Sequence, residues 1–464
     1  MLTDELIYTS ATALAQAIRE RQISSAEVVA AHLDRIEAVN PALNAVVQLA
    51  AETAHTEAKA ADAALARGEL KGPLHGVPIT IKDAIETAGI ISTGGTLGRA
   101  AYTPAQDAPV VARLRAAGAI ILGVTNVPEM SYGYESDNLV YGRTNNPYDL
   151  SRTAGGSSGG EAAIIAAGGS PLGLGGDFAG SIRVPAHFCG IAGLRPTPGR
   201  VPGTGYVPTL GGVVGMLAQN GPMARYVEDL SLMLPIIAGT DGRDPRVIPV
   251  PLGDPSRVDL KSLRVAFYTD NGVVPPTPET ADAVKAAAQV LAEAGLTVLE
   301  DRPPCLEQTT ELFLALISAD GGTGMATALQ MAGTPEVHPM LQSLLESMRP
   351  QALSAAEFMG LWYRWDMWRS TLLSFMEKYD VILCPVCAYP AMPHGTTGQQ
   401  LAAFSYTQTY SLTASPGVVV RAGTSPEGLP IGVQVVPRQW REDVALAVAQ
   451  HLETALGGWQ RPLI

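Results

Sequence analysis

Two glycine-framed serine clusters and one isolated lysine carry the chemistry that can be read in this sequence. Gly155-Gly156-Ser157-Ser158-Gly159-Gly160 satisfies G-x-S-x-G twice, at Ser157 and at Ser158. That pattern marks the nucleophile elbow of an α/β-hydrolase-type esterase when an apolar strand leads into it and a helix follows. A helix is expected at Glu161–Ala167, but the residues from Asn145 to Thr153 read as a loop, so the strand is missing. The second cluster runs Gly173-Leu174-Gly175-Gly176-Asp177-Phe178-Ala179-Gly180-Ser181-Ile182-Arg183. Its small residues let consecutive backbone N–H groups turn toward one point. A hydroxyl beside such a turn can attack a carbonyl whose oxygen those groups then hold. A phosphate-binding or purely structural glycine turn is the competing reading. Neither the G-x-x-x-x-G-K-[ST] loop nor the third glycine of a dinucleotide fingerprint is present.

A serine nucleophile needs a base. Seven histidines are available, yet none is well placed; His394 follows Met392-Pro393 and His451 falls in an expected helix. Lysine is scarce, and Lys82 alone ends an apolar strand, on its Thr80 face. A lysine held in a dry site loses charge because desolvation disfavours the ammonium, and the neutral amine can then act as a general base. A strand-end lysine that reaches out to water is the alternative.

These residues need a frame. Alternation in Val77-Pro78-Ile79-Thr80-Ile81-Lys82 predicts a strand. A helix over Ala108–Ala117 leads into a strand over Ala119–Val124, which predicts an α/β architecture. Two helices are expected between Ser10 and Asn40, with Ser24-Ser25-Ala26-Glu27 as a capping box, and another over Glu52–Arg67. Gly239 to Leu260 reads as a surface connection. Beyond it come a strand at Leu263–Tyr268, a helix at Thr277–Ala294 and a strand at Leu296–Leu299. Pro303 to Phe375 reads as all-helical and gathers Trp362, Tyr363, Trp365, Trp368 and Phe375, either as core or as a cap over a pocket. The chain then returns to α/β with strands at Val381–Leu383, Gly417–Arg421 and Ile431–Val436 and a helix at Glu442–Leu456.

Composition narrows the function classes. A net charge of −13 argues against nucleic acid and against an anionic membrane as partners. No stretch approaches the roughly 20 apolar residues of a membrane span, and no signal peptide is visible, so a cytoplasmic location is expected. Four cysteines make no disulfide framework. Cys384 and Cys387 form a C-x-x-C without a second ligand pair, which favours two small residues at a strand end over a zinc or redox site.

Taken together, the run from Gly155 to Thr197 resembles the defining segment of the amidase-signature family. The separations agree as well: 75 residues from Lys82 to Ser157 and 24 from Ser157 to Ser181. Gly76–Asp83, Asn126–Met130 and Gly428–Gln434 are similar to flanking pieces of that family. The resemblance implies a single α/β amidase-signature domain, a large mixed sheet covered by helices on both faces. Its core would lie at about 60–240 and 376–460, with N-terminal helices over 1–60 and a variable, largely helical cap over about 245–375. Ser181 would be the nucleophile, Ser157, in a cis peptide, the proton relay, and Lys82 the base. Backbone N–H groups of Phe178, Ala179, Gly180 and Ser181 would form the oxyanion hole. Ser158, Asp177 and Arg183 would support the network. Met130, Ser131, Tyr132, Gly133 and Tyr134 fall where the family's binding loop would be. No metal or organic cofactor is implied.

The implied reaction is hydrolysis of an amide, anilide or related carbonyl bond, with esters and carbamates, including urethane or nylon-type oligomers, in the same set. The expected partner is a small-molecule substrate, and the chain is expected to be a monomer or homodimer. The alternatives are a glutamine-dependent tRNA amidotransferase subunit or an α/β-hydrolase-type esterase. The family usually reads Thr-Asp-Ile-Gly-Gly-Ser before the nucleophile; here Gly176, Phe178 and Ala179 depart from it. A phenylalanine at the oxyanion turn points to an apolar or aromatic substrate rather than glutamine. His187 is expected to be a core histidine.

Overall fold

The computed structural model describes residues 3–209 and 211–464. Its strands, in chain order, begin with β1 (Val46–Leu49), β2 (Pro78–Lys82), β3 (Ile120–Thr125), β4 (Asn145–Asn146) and β5 (Asp149–Thr153). Then follow β6 (Leu172–Asp177), β7 (Ala192–Arg195), β8 (Gln219–Ala224), β9 (Arg264–Phe267) and β10 (Thr297–Glu300). The last are β11 (Val381–Pro385), β12 (Gly417–Thr424) and β13 (Pro430–Pro437). β4 and β5 form a separate two-stranded sheet; the others form one sheet in the order β1-β3-β2-β6-β8-β7-β12-β13-β11-β9-β10. β2 runs parallel to β3 and β6, and β9 runs parallel to β10 and β11, while the remaining neighbours are antiparallel.

Helices cover both faces, each with its own apolar core. Ala11–Arg19, Pro109–Ala116, Val227–Ile237, Pro278–Glu293 and Glu442–Leu456 pack on one face; Ser25–Leu43, Gly159–Ala166, Arg183–Phe188, Thr309–Ser318 and Ala355–Phe375 pack on the other. β2 explains the division. Its apolar residues Ile79 and Ile81 enter the first core, and the period of two turns Thr80 and Lys82 to the second face. The expected capping box closes the N-terminus of Ser25–Leu43, with Ser24 Oγ accepting from Glu27 N and Glu27 accepting from Ser24 N.

β9 and β10 fall on the strands expected at Leu263–Tyr268 and Leu296–Leu299, whereas β1, at the opposite edge of the sheet, lies in the stretch expected to hold only N-terminal helices. β6 and β8 carry too many glycines and prolines to read as strands, yet both are central and wholly buried. The loop expected at Asn145–Thr153 contains the β4–β5 hairpin, which lies outside the main sheet and so makes no nucleophile elbow. Cys384 and Cys387 are free and buried, and no metal-ligand cluster exists among the described residues. Among those residues no single helix is long and apolar enough to cross a membrane.

Candidate active site

Lys82 is the last residue of β2 and is fully buried, so it does not reach water. Its Nζ lies 2.6 Å from Ser157 Oγ and 3.3 Å from the Gly176 carbonyl oxygen. Burial brings the Lys82 ammonium down to about 7, against the attraction of Asp177 and Glu161. The Gly156–Ser157 peptide is cis. Ser158, just before helix Gly159–Ala166, donates its N–H to the Ser181 carbonyl at 3.1 Å. Its hydroxyl bonds the Gly176 carbonyl at 3.2 Å and accepts the Gly176 N–H at 3.3 Å. It therefore ties the first serine segment to the second.

The second segment is a tight turn between β6 and helix Arg183–Phe188. Asp177 organises it. Its carboxylate accepts from the N–H of Gly180 at 2.7 Å and of Ile182 at 3.1 Å, and pairs with Arg183 Nε at 2.9 Å. Burial alone would raise this carboxyl, but Arg183 and, farther off, Arg195 bring it down to about 2. Gly180 has φ +128°, and a Cβ there would meet Thr407 Oγ1 at 2.5 Å. The expected oxyanion hole is corrected in one respect. The Gly180 N–H donates to Asp177 and is not free for a substrate. The N–H groups of Phe178, Ala179 and Ser181 meet no acceptor among the described residues. The Ala179 carbonyl is fixed from behind by the hydroxyls of Tyr134 (3.0 Å) and Thr407 (2.9 Å).

A cavity of about 600 Å³ opens on Ser157, Ser181 and this turn. Met130 to Tyr134, the expected binding loop, forms one wall. Met130 and Ser131 both hold left-handed backbone conformations, with φ of 55° and 59°. The roof is apolar: Phe313, Leu314 and Ile317 from helix Thr309–Ser318, and Met340 and Leu344 from helix Pro339–Met348. Phe178 meets Phe313 with ring centroids 5.7 Å apart, so the turn and the roof touch. The tryptophan-rich helix Ala355–Phe375 does not line this cavity. Trp365 and Trp368 are buried behind it, their indole N–H groups bonded to the carbonyls of Leu412 and Cys305.

Sequence reasoning missed Tyr206, which also lines the cavity, and Glu161, buried near Lys82. Glu161 is bonded by the hydroxyls of Thr80 and, at 2.8 Å, Thr125; burial raises its carboxyl to about 7 against those bonds and Lys82. A glutamate in the first turn of an alanine-rich helix looks like an ordinary helix start, so no local signal marks it. His187 is a core histidine: Nδ1 accepts from the Gly432 N–H at 2.7 Å and Nε2 lies 3.0 Å from the Tyr389 carbonyl.

Ser157, on its cis bond, and Ser181 share one cavity, and the buried Lys82 lies directly behind Ser157. The sequence profile of the family described as Amidase matches residues 27–446. Fatty-acid amide hydrolase 2-A of Danio rerio is 35% identical over 99% of this chain and 91% of that protein. A glutamyl-tRNA(Gln) amidotransferase subunit of Roseiflexus castenholzii is 36% identical over 92% of this chain and 91% of that one. Among solved structures, 6-aminohexanoate cyclic dimer hydrolase complexed with substrate superposes with a TM-score of 0.88 at 29% identity, covering 98% of this chain and 99% of that chain. The chain belongs to the amidase-signature family and is an amidase, hydrolysing the carbon–nitrogen bonds of amides and anilides.

Proposed function

We propose that this amidase acts on apolar or aryl amides, and on esters and carbamates of similar shape, through an acyl-enzyme on Ser181. The observation that carries the reading is the 2.6 Å contact of a buried, near-neutral Lys82 with Ser157 at the floor of an apolar cavity that also presents Ser181. Ser181 Oγ attacks the carbonyl carbon as its proton passes through Ser157 to Lys82. The oxyanion is met by the N–H groups of Phe178, Ala179 and Ser181. Collapse breaks the C–N bond, and the proton returns from Lys82 through Ser157 to the leaving amine. Water then repeats the sequence on the acyl ester. Esters and carbamates enter the same set because the oxyanion geometry does not depend on the leaving atom. Phe178, Phe313 and the aliphatic roof support apolar and aromatic substrates. They weigh against a glutamine pocket, despite the identity to an amidotransferase subunit.

A hydrolysis panel of anilides, primary amides, esters and carbamates, run on wild type and Ser181→Ala, tests the reading. Aryl and long-chain amides are expected to lead the panel, and the variant is expected to lose hydrolysis by several orders of magnitude. Near-wild-type turnover by the variant would sink the nucleophile assignment.

A further inference from the structure

One aromatic ring fills the space that a side chain at position 176 would need. A Cβ on Gly176 would come within 2.6 Å of Tyr206 Cε2 and 2.9 Å of the Tyr206 hydroxyl oxygen. The two positions are sterically coupled: residue 176 can carry a side chain only if the ring moves away. The backbone holds that ring in place. Tyr206 forms an antiparallel bridge with Ile85, three residues beyond Lys82. On either side, the Glu86 N–H donates to the Gly205 carbonyl at 2.9 Å and the Val207 N–H donates to the Ala84 carbonyl at 2.8 Å. The segment leaving β2 after Lys82 therefore also carries Tyr206.

The phenol stands between the cavity and the proton path. Lys82 Nζ is 5.6 Å from the ring centroid. The hydroxyl donates to Ser131 Oγ at 3.3 Å, on the left-handed wall loop. Burial pushes the Tyr206 phenol up to about 12, against its hydrogen bond to Ser131, so it stays a neutral donor near pH 7.

We infer that Tyr206 is a positioning residue of the relay: its ring shields Lys82 and Ser157 from water, and its hydroxyl, anchored on Ser131, holds that ring in place. Gly176 is the matched partner that makes room for it. The inference rests on the relay proposed above for Ser157 and Lys82. Tyr206 itself exchanges no proton.

Two effects separate the ring from the hydroxyl. The charged and titratable groups facing Lys82 are Asp177 from β6, Glu161 from helix Gly159–Ala166 and Tyr206. Removing the ring leaves both acids in place and lets water reach the ammonium. Water at the ammonium, with the acids still beside it, favours the charged lysine. Loss of the ring–cation attraction acts the other way but is the smaller effect, because burial is the largest cause of the depression.

The test compares Tyr206→Phe, Tyr206→Ala, Gly176→Ser and the double variant of the last two. For each, kcat and KM on an anilide are measured against pH, with a thermal melt to check folding. Tyr206→Phe is expected to lose about tenfold in kcat with KM and the acidic limb unchanged, the worth of one hydrogen bond. Tyr206→Ala is expected to move the acidic limb of kcat/KM up by about one pH unit. Gly176→Ser alone should lose activity, but cost little, or restore part, once Tyr206 is alanine. Tyr206→Phe within twofold of wild type, together with an unmoved limb in Tyr206→Ala, overturns the inference. So do strictly additive effects at 176 and 206. If the alanine variant fails to fold, kcat of the isosteric phenylalanine variant decides. An active Lys82→Ala would instead overturn the relay itself, which keeps the two failures distinct.

Discussion

The floor and the roof of the cavity are built by opposite means. On the floor, buried charge and hydrogen bonds fix nearly every group. Asp177 is paired with Arg183 and bonded to three backbone N–H groups, and Lys82 is bracketed by Ser157, Asp177 and Glu161. Of the roof helices, Thr309–Ser318 packs into the apolar core on one sheet face, and Pro339–Met348 is joined to the rest by a small apolar cluster of Met130, Val207, Met325, Leu329 and Leu341 and by few polar links. Among these, the His338 N–H donates to Glu129 at 2.7 Å, and the Thr96 and Thr334 hydroxyls meet at 2.6 Å. Buried polar networks are costly when half-satisfied, so they tolerate little variation. Apolar contacts are forgiving of shape. The difference assigns chemistry to the floor and substrate choice to the roof.

Deleting the floor's base would break the comparison most severely. Lys82→Ala is expected to lose amide turnover by about 10³-fold or more, and ester turnover by less, because an amine must be protonated to leave whereas an alkoxide leaves more readily. Equal losses on amide and ester would remove the relay from the leaving step. In the proposed relay the neutral lysine is the active form, and burial brings its value down to about 7. The profile of kcat/KM should therefore rise with pH up to about 7 and level off above it. A flat profile from pH 5 to 9 would contradict a lysine base.

Removing the floor's organising charge comes next. Asp177→Asn leaves Arg183 and Arg195 buried without their counter-ion, and breaking such a cluster costs about 3–5 kcal/mol. Urea unfolding at pH 7 measures it. The carboxyl is held near 2 in the folded chain, below its unfolded value, so its contribution is present above the unfolded value and fades as pH falls toward 2. The gap between wild type and variant should close in the same window. A gap independent of pH would mean that packing, not charge, organises the turn.

How much of this is legible depends on where the signal resides. Lys82 stands out because a lone lysine closes an apolar strand, and burial bears out its dry setting. The resemblance joins Ser157 and Ser181, and the structure brings both to one cavity. The Gly180 N–H is misassigned because a sequence of small residues shows which amides can turn inward but not which one a neighbouring carboxylate will capture. β6 does not read as a strand because its strand character depends on what it packs against. A Cβ at Gly173 would overlap Glu161, and one at Gly176 would overlap Tyr206, so tertiary contacts demand glycine in a strand that propensity disfavours. The region from Pro303 to Phe375 is helical as expected, but its aromatic content directs attention to Trp362–Trp368. The roof instead comes from helices Thr309–Ser318 and Pro339–Met348, whose leucines and methionines look like any core.

The smallest expected effect sharpens the division of labour. Leu344 sits half-buried on helix Pro339–Met348 and faces the cavity, far along the chain from the β6 turn. Leu344→Ala removes three carbons from the wall without touching any hydrogen bond of the floor. Fully burying a leucine is worth about 1.5–3 kcal/mol, and a half-buried one shared with solvent contributes about 1 kcal/mol to a bound apolar group. KM for a long-chain or aryl amide should rise about fivefold while kcat stays within about twofold, because this contact is the same in ground and transition states. For a two-carbon amide too short to reach the roof, neither constant should change. If kcat fell as far as KM rose, or if the short amide suffered equally, Leu344 would be acting on the β6 turn. The roof would then be part of the catalytic frame, linked to it through the contact of Phe313 with Phe178.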